Sequence, residues 1–387
     1  MAYEVAALGT RLEYFSSGNK PNSAAVLSST RIIAAYTDSV NDGFVRAFDI
    51  DRGTGVITGL SSAFEYDNAD SKFEKLNGID ATNAVVTYQG VAADGFIQLL
   101  TINAGTGAVT ANGSKLEFDT TDASFIASEL VDSTHLLVVW SGVAGDGFAQ
   151  VFTLDTALGV VAGVGTPFEF NITDATFNSL SKISATKWVV FYTGPTADGN
   201  AIVLDVSAVT FAVTAAGANF NYKNGTFTNN ASDYLYTTGG TAVVVASYFD
   251  GTNSRIRTFN VDTTTWAITA RGAEYTYGNS ATLNANRYIK RIDDTHFLSL
   301  QAESSTLSNF EALAVDSGSG DITSISEVVV GATNDAIQTT ELHDLGSGLW
   351  LGNWWSDVDD GALLQLFTVA TPAGVTNHFL TLLGSGT

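Results

Sequence analysis

Residues 91–110 read VAADGFIQLLTINAGTGAVT, and 52 positions later residues 143–162 read VAGDGFAQVFTLDTALGVVA. Residues 40–58, VNDGFVRAFDIDRGTGVIT, say nearly the same thing one period earlier. The Asp-Gly pair is the simplest ruler. It falls at Asp42-Gly43, Asp94-Gly95, Asp146-Gly147, Asp198-Gly199 and Asp250-Gly251, always 52 residues apart. Asp360-Gly361 follows 110 residues later, which is two steps of 55 with a degenerate copy between. Leu12, Phe64, Leu116, Phe168 and Phe220 keep the same period at the heads of LEYF, FEYD, LEFD, FEFN and FNYK. Thr58, Thr110, Thr214, Thr269, Thr323 and Thr376 are a third marker. Three independent markers with one spacing identify a repeat protein of seven units. The units run 9–58, 59–110, 111–162, 163–214, 215–269, 270–323 and 324–376, with 377–387 as a C-terminal strand.

Inside a unit the pattern is of strands. In residues 72–119 the runs KFEKLNGI, AVVTYQG, GFIQLLTI and AVTANGSKLEFD are short and rich in β-branched and aromatic residues. Turn residues separate them. The Asp-Gly pair reads as a hairpin whose glycine takes a positive φ. No stretch holds helical apolar spacing over three turns. A four-stranded sheet cannot bury both of its faces alone, whereas sheets stacked face to face around an axis bury one another. The prediction is an all-β, seven-bladed β-propeller of four-stranded antiparallel blades, its ring closed by a terminal strand. Residues 10–16 copy the fourth-strand segment with no blade before them, and 376–383 also lie where a fourth strand belongs. The N-terminal strand is expected to close the ring, leaving the C-terminal one surplus.

Composition bounds the function. The 387 residues carry 17 Lys+Arg against 40 Asp+Glu, a net charge of −23. No basic stripe exists to neutralise phosphates, so nucleic acid is not an expected partner, and an anionic membrane would repel the chain. There is no cysteine, which excludes disulfides, thiolate metal sites and cysteine nucleophiles. The opening MAYEVAALGTRLEYFSSGNK lacks a basic region followed by an apolar run, and reads as a chain without a secretory signal or membrane insertion. Such a chain is made in a cytoplasm and would act there, in a virion, or outside a cell after lysis.

The units FEYDNADSKFEKLNGIDATNAVVTYQGVAADGFIQLLTINAGTGAVT and LEFDTTDASFIASELVDSTHLLVVWSGVAGDGFAQVFTLDTALGVVA resemble a repeat found in uncharacterised proteins of tailed phages and environmental bacteria. The resemblance covers about residues 9–376 and is strongest over 59–214. It implies a propeller and a virion or cell-surface setting, and it supplies no catalytic residue. The later units depart from it, with ESSTLSNFEALAV replacing the Asp-Gly hairpin at 303–315.

Three groups of residues could carry chemistry. Antiparallel alternation places the Asp-Gly loops and the loops joining successive blades on one face. Asp42, Asp94, Asp146 and Asp198 would there ring the axis with Asp67, Asp70, Asp119, Asp122, Asp174 and Asp335. Such a ring could hold Ca²⁺. DSVNDG and SDVDDG come nearest to a metal loop and make Asp38, Asp42, Asp357 and Asp359 the candidate ligands. The simpler reading is that these aspartates shape turns. The second group is aromatic: Tyr36, Tyr88, Trp140 and Tyr192, with Tyr248 and Trp354 as counterparts. Rings beside polar loops suit sugar stacking, but a position repeated in every blade also suits packing between blades. WLGNWWSDVDDG (350–361) concentrates three Trp, and Trp355, alternating away from Trp354, is the candidate recognition residue. The third group is His135 and His296, expected to bond their own DSTH and DDTH turns on the opposite face. No metal-ligand pair involves His343 or His378, and Glu65 and Glu117 repeat with the strand.

The reading is a non-enzymatic structural or adhesion module, a virion component such as a capsid decoration, tail or fibre protein. Its partners would be other virion proteins or a host-surface glycan or protein, with oligomers allowed and no cofactor beyond a possible Ca²⁺. A glycan-binding propeller lectin is the rival, followed by a propeller glycosidase or lyase.

Overall fold

The second strand of each repeat decides the architecture, because it is apolar on both faces. Ile32, Ile33, Ala34 and Ala35 are all fully buried, as are Leu136, Leu137, Val138 and Val139. A strand buried on both sides must be covered by a sheet on each side. The computed structural model, which describes residues 3–15, 21–277, 288–304, 307–329, 337–356 and 361–370, supplies that cover with seven antiparallel sheets in a ring.

Blade 1 comprises Pro21–Ser28, Arg31–Thr37, Gly43–Ile50 and Ile57–Asp67. Blade 2 comprises Lys72–Gly78, Asn83–Gln89, Gly95–Ile102 and a broken fourth strand, Val109–Ala111 with Leu116–Asp119. Blade 3 is Ser124–Asp132, His135–Ser141, Gly147–Asp155 and Val160–Asn171. Blade 4 is Thr176–Lys182, Lys187–Thr193, Gly199–Val206 and the pair Val213–Ala215 and Phe220–Lys223. Blade 5 is Thr228–Thr238, Thr241–Phe249, Ser254–Asp262 and Ile268–Tyr277. Blade 6 is Tyr288–Asp293, His296–Ser304, Leu307–Val315 and Ile322–Val329. Blade 7 takes Ile337–Asp344, Leu349–Ser356 and Gly361–Ala370 from one end of the chain and Glu4–Phe15 from the other. The sheets are therefore out of phase with the sequence units, which begin one strand early.

The core divides as the ring demands. Seven buried clusters each bridge two consecutive blades. Ile33 and Ala35 of blade 1 join Ala84, Val86 and Tyr88 of blade 2, while Ile32 and Ala34 face Leu351 and Leu364 of blade 7. Closure falls to the N-terminal strand as expected. It pairs with Gly361–Ala370 from Glu4↔Ala370 to Phe15↔Ala362. Residues 376–383, the surplus strand of the sequence reading, lie outside the described residues. The short helices are single 3₁₀ turns in the Asp-Gly loops, such as Val91–Ala93.

Those loops correct one expectation in part. In blades 2–4 the positive φ falls on the two residues before the pair, Ala92 and Ala93, Ala144 and Gly145, Thr196 and Ala197, and in blade 1 on Asn41, whereas in blade 5 Gly251 itself takes it. In blades 1–3 the glycine of the pair is needed for room instead. A Cβ on Gly43, Gly95 or Gly147 would stand 2.5 Å from the ring of Tyr66, Phe118 or Phe170. Those rings are the third letters of FEYD, LEFD and FEFN. Each sits at a bulge in its fourth strand, where the register slips by one residue, and leans across the glycine. Two of the sequence markers are thus one contact seen twice.

Candidate functional site

The Asp-Gly loops and the blade-to-blade loops do share a face. Ser71 N donates to Asn41 O, Ala123 N to Ala93 O, and Ala175 N to Gly145 O, tying each loop to the start of the next blade. The acidic residues there are largely occupied with local structure. Asp67 accepts from the amides of Ala69 and Asp70 and from Lys115 Nζ at 2.8 Å. Asp119 accepts from the Thr121 and Asp122 amides and from Trp140 Nε1 at 2.9 Å. Asp198 holds Thr196, Asn221 and the Gly225 amide. Asp122 takes Gln89 and Ser124, and Asp70 takes Lys72. Asp38 spends its Oδ1 on the amides of Val40 and Asp42. Asp42 is pushed up from the ordinary carboxylate range by desolvation and by Asp38 and Asp67. Among the described residues no group of three His, Cys, Asp or Glu is arranged to hold a metal ion. The carboxylates of Asp38, Asp67 and Asp119 shape their own turns. Asp335, Asp357 and Asp359 lie outside the described residues.

The aromatic candidates are core. Tyr36, Tyr88, Trp140, Tyr192, Tyr248 and Trp354 are all buried, and none exposes more than 5% of its surface. Tyr36 stacks on Phe44, Tyr88 on Phe96 and Trp140 on Phe148, each on the facing residue of the next strand. Tyr192 Oη donates to Asn219 and Tyr248 Oη to Glu274, while Tyr88 Oη and Trp354 Nε1 are buried without a hydrogen bond. A ring with no free face cannot stack a sugar, so the repeated position serves blade packing. Trp355 pairs through its backbone with Gln338 and Ala362, and its side chain lies outside the described residues. His135 and His296 bond Asp132 and Asp293 of their own turns at 2.9 Å, as their motif suggests.

Two features escaped the sequence reading. The first is a row of rings at the starts of the innermost strands of blades 2, 3 and 4. Phe73, Phe125 and Phe177 stand 52 residues apart with centroids 4.9 and 4.5 Å from one another. All three have φ near +50°, a conformation that is strained for a bulky residue. Phe73 is 37% exposed. The same face exposes Val40, Val91 and Val143 at the tips of the Asp-Gly loops and Ile172 in the next loop.

The second feature is the axial cavity, about 330 Å³, lined by the innermost strands of all seven blades. One layer of it is formed by Ala25, Asn77, Glu129, Ser181, Asp233, Lys290 and His343. These positions are equivalent. Each pairs with a second-strand residue that faces the following blade, as with Ala25↔Ile33 and Glu129↔Leu137. The innermost strands are joined by polar side chains. Asn77 donates to Ser128 at 2.8 Å, and Ser179 and Ser181 both meet Ser232. Glu341 of blade 7 accepts from Ser23 of blade 1 and from Lys75 of blade 2, each at 3.0 Å. Burial opposes its charge, but Lys75 and His343 beside it bring its carboxyl down to about 2. Asp233 raises Lys290. Glu129 is pushed up to about 7 by burial, against the pull of Lys290 and Lys182. Its Oε2 is enclosed without a hydrogen-bond partner.

No family model matches the chain, and no curated protein does. Solved structures do resemble it. A 6-phosphogluconolactonase candidate from Bacteroides fragilis superposes with a TM-score of 0.59 at 15% identity, covering 80% of this chain and 87% of that one. Sqt1 from Chaetomium thermophilum gives 0.57 at 9% identity, covering 95% and 100%. The SapL1 lectin, in complex with alpha methyl fucoside, gives 0.50 at 11%, covering 82% and 97%. At these identities the likeness is one of fold. Lactonase candidates, Sqt1 and a lectin share it, so it assigns no activity. The chain is a seven-bladed β-propeller.

Proposed function

We propose that the chain is a non-enzymatic contact module that engages a partner surface through the Asp-Gly face of blades 1–4. One observation carries this reading: Val40, Phe73, Val91, Val143 and Ile172 are exposed on that face, in blades 1–3 and the loop into blade 4, whereas the opposite ends of the blades expose Val56, Leu158, Val160 and Val209. Exposed apolar side chains on an otherwise strongly acidic chain mark contact sites, and the Asp-Gly face carries the larger share together with an exposed ring. The rigid ring beneath loses little conformational freedom on binding. The virion setting, with other virion proteins or a host-surface glycan or protein as partner, rests on the repeat resemblance.

The test is a variant with Val40, Val91, Val143 and Ile172 all changed to Ser. It should keep the wild-type melting temperature within a few degrees and lose binding to purified phage particles or host cells at least tenfold. Mass spectrometry of purified particles checks the setting directly. Turnover of a polysaccharide or a sugar lactone by the wild-type chain, with no surface binding, would overturn the proposal. The glycan reading is favoured by the exposed ring of Phe73, which a sugar face could cover. A glycan array separates it, since hits should disappear in Phe73→Ala.

A further inference from the structure

The two faces of the ring differ in what stands beside their exposed apolar side chains. On the Asp-Gly face Asp94 follows Val91 by three residues, Asp146 follows Val143 by three, and Asp174 follows Ile172 by two. All three aspartates are half-buried, and among the described residues none of their carboxylates meets a donor or a cation. On the opposite face Val56, Leu158 and Val160 stand on turns whose aspartates are engaged. Asp51 accepts the amides of Gly53 and Thr54, and Asp155 those of Ala157 and Leu158.

Tip and acid are held together. The Asp94 amide donates to Val91 O and the Asp146 amide to Val143 O, each closing one short turn. The Ala175 amide donates to Gly145 O, which sets Asp174 against the blade 3 loop. Asp42, two residues beyond Val40, is crowded by Asp38 and Asp67 and raised by them. The lysines at this end of blades 2 and 4 bring no relief to the free acids. Lys72 and Lys115 are held by Asp70 and Asp67 at 2.8 Å, and Lys223 by Glu274 at 3.1 Å.

Charge decides among occupants. A second copy of a chain of charge −23 would bring carboxylates to carboxylates, and an anionic polymer or membrane would be repelled likewise. Valine and isoleucine tips present no π-face to a sugar. A Lys or Arg side chain suits both parts of the surface. Its charged head pairs with a carboxylate and its methylene stem covers an apolar tip. The exposed ring of Phe73 adds a face that attracts cations.

We propose that this face docks a basic polypeptide segment, whose Lys and Arg side chains pair with Asp94, Asp146 and Asp174 while apolar side chains between them cover Val91, Val143 and Ile172. This partner chemistry rests on the contact-face reading above, and the two can fail separately. The closed turns are already in place, so little ordering is required of the chain on binding.

Selection of a displayed random-peptide library on the full chain at 150 mM NaCl tests this. The expected enrichment is of Lys and Arg interleaved with apolar residues, and a selected peptide should titrate as one per chain in calorimetry. Its affinity for the wild type should fall at least severalfold between 150 and 500 mM NaCl. Asp94→Ser, Asp146→Ser and Asp174→Ser together should weaken it at least tenfold and flatten that salt dependence. These side chains bond nothing within the chain, so the melting temperature should stay within a few degrees. Losing three acids takes the net charge only from −23 to −20, too little to alter a diffuse attraction. Val56→Ser, Leu158→Ser and Val209→Ser, on the opposite face, should leave the affinity unchanged. No enrichment, enrichment of peptides without basic residues, or equal affinity in the triple acid variant would overturn the proposal. Binding to particles or cells that the triple acid variant keeps, and that the valine and isoleucine changes abolish, would overturn the basic partner and leave the contact face standing. Binding kept by both variants would overturn both.

Discussion

At the scale of single residues, the Asp-Gly pair acts through what each member excludes or accepts. Gly95 leaves space for Phe118, and a methyl group there would sit 2.5 Å from the ring. Gly95→Ala should therefore destabilise the chain by about 1–3 kcal/mol in urea unfolding, the usual cost of overpacking. Phe118→Leu in the same chain should recover part of that loss, giving a non-additive double-mutant cycle. A purely conformational role for the glycine predicts no such rescue. Asp119 joins two amides of its turn to the indole of Trp140. Asp119→Ala should cost about 1–3 kcal/mol, because an indole N–H is then buried alone. The repeat made both residues conspicuous in the sequence. It could not say that Gly95 and Phe118 touch, since the contact depends on a bulge that shifts register by one.

At the scale of elements, strand identity and order were legible because both follow from local pattern. Turn residues bound each run, and a second strand apolar on both faces has to be sandwiched. The charged axial layer was hidden for the opposite reason. Its seven positions share a place in the sheet but no chemistry, so no periodic marker picks out Glu129 or Lys290. The buried ring at Tyr36, Tyr88, Trp140 and Tyr192 is the converse case, where a periodic marker reported packing. Ring closure is the element on which the other sheets depend. Residues 4–15 fill the edge of blade 7 and cover the core facing blade 1. Deleting residues 1–15 should leave an unpaired strand edge and an open core. The expected outcome is a broadened thermal transition and concentration-dependent association in sedimentation velocity. An unchanged, monomeric, cooperative melt would show that closure lies elsewhere.

For the whole molecule, buried carboxylates set the pH dependence of stability. Glu341 has its folded value brought down to about 2, so its contribution is present above the unfolded value and disappears as pH falls towards 2. Glu74 and Glu129 are pushed up to about 7 by burial. They contribute fully below the unfolded value of about 4.5 and lose that contribution as pH rises to 7. Stability should therefore peak near pH 4–5 and decline towards pH 8, on the order of 3 kcal/mol for each carboxyl at most. Repulsion within a chain of charge −23 acts in the same direction. Melting temperatures from pH 3 to pH 8 check this, and Glu74→Gln should flatten the alkaline side. The axial layer has one more consequence. Ala25, Asn77, Glu129, Ser181, Asp233, Lys290 and His343, one from each blade, line the axis with seven dissimilar groups. The packing between blades repeats around the ring, but the lining of the axis does not, so a step of one blade never maps that lining onto itself.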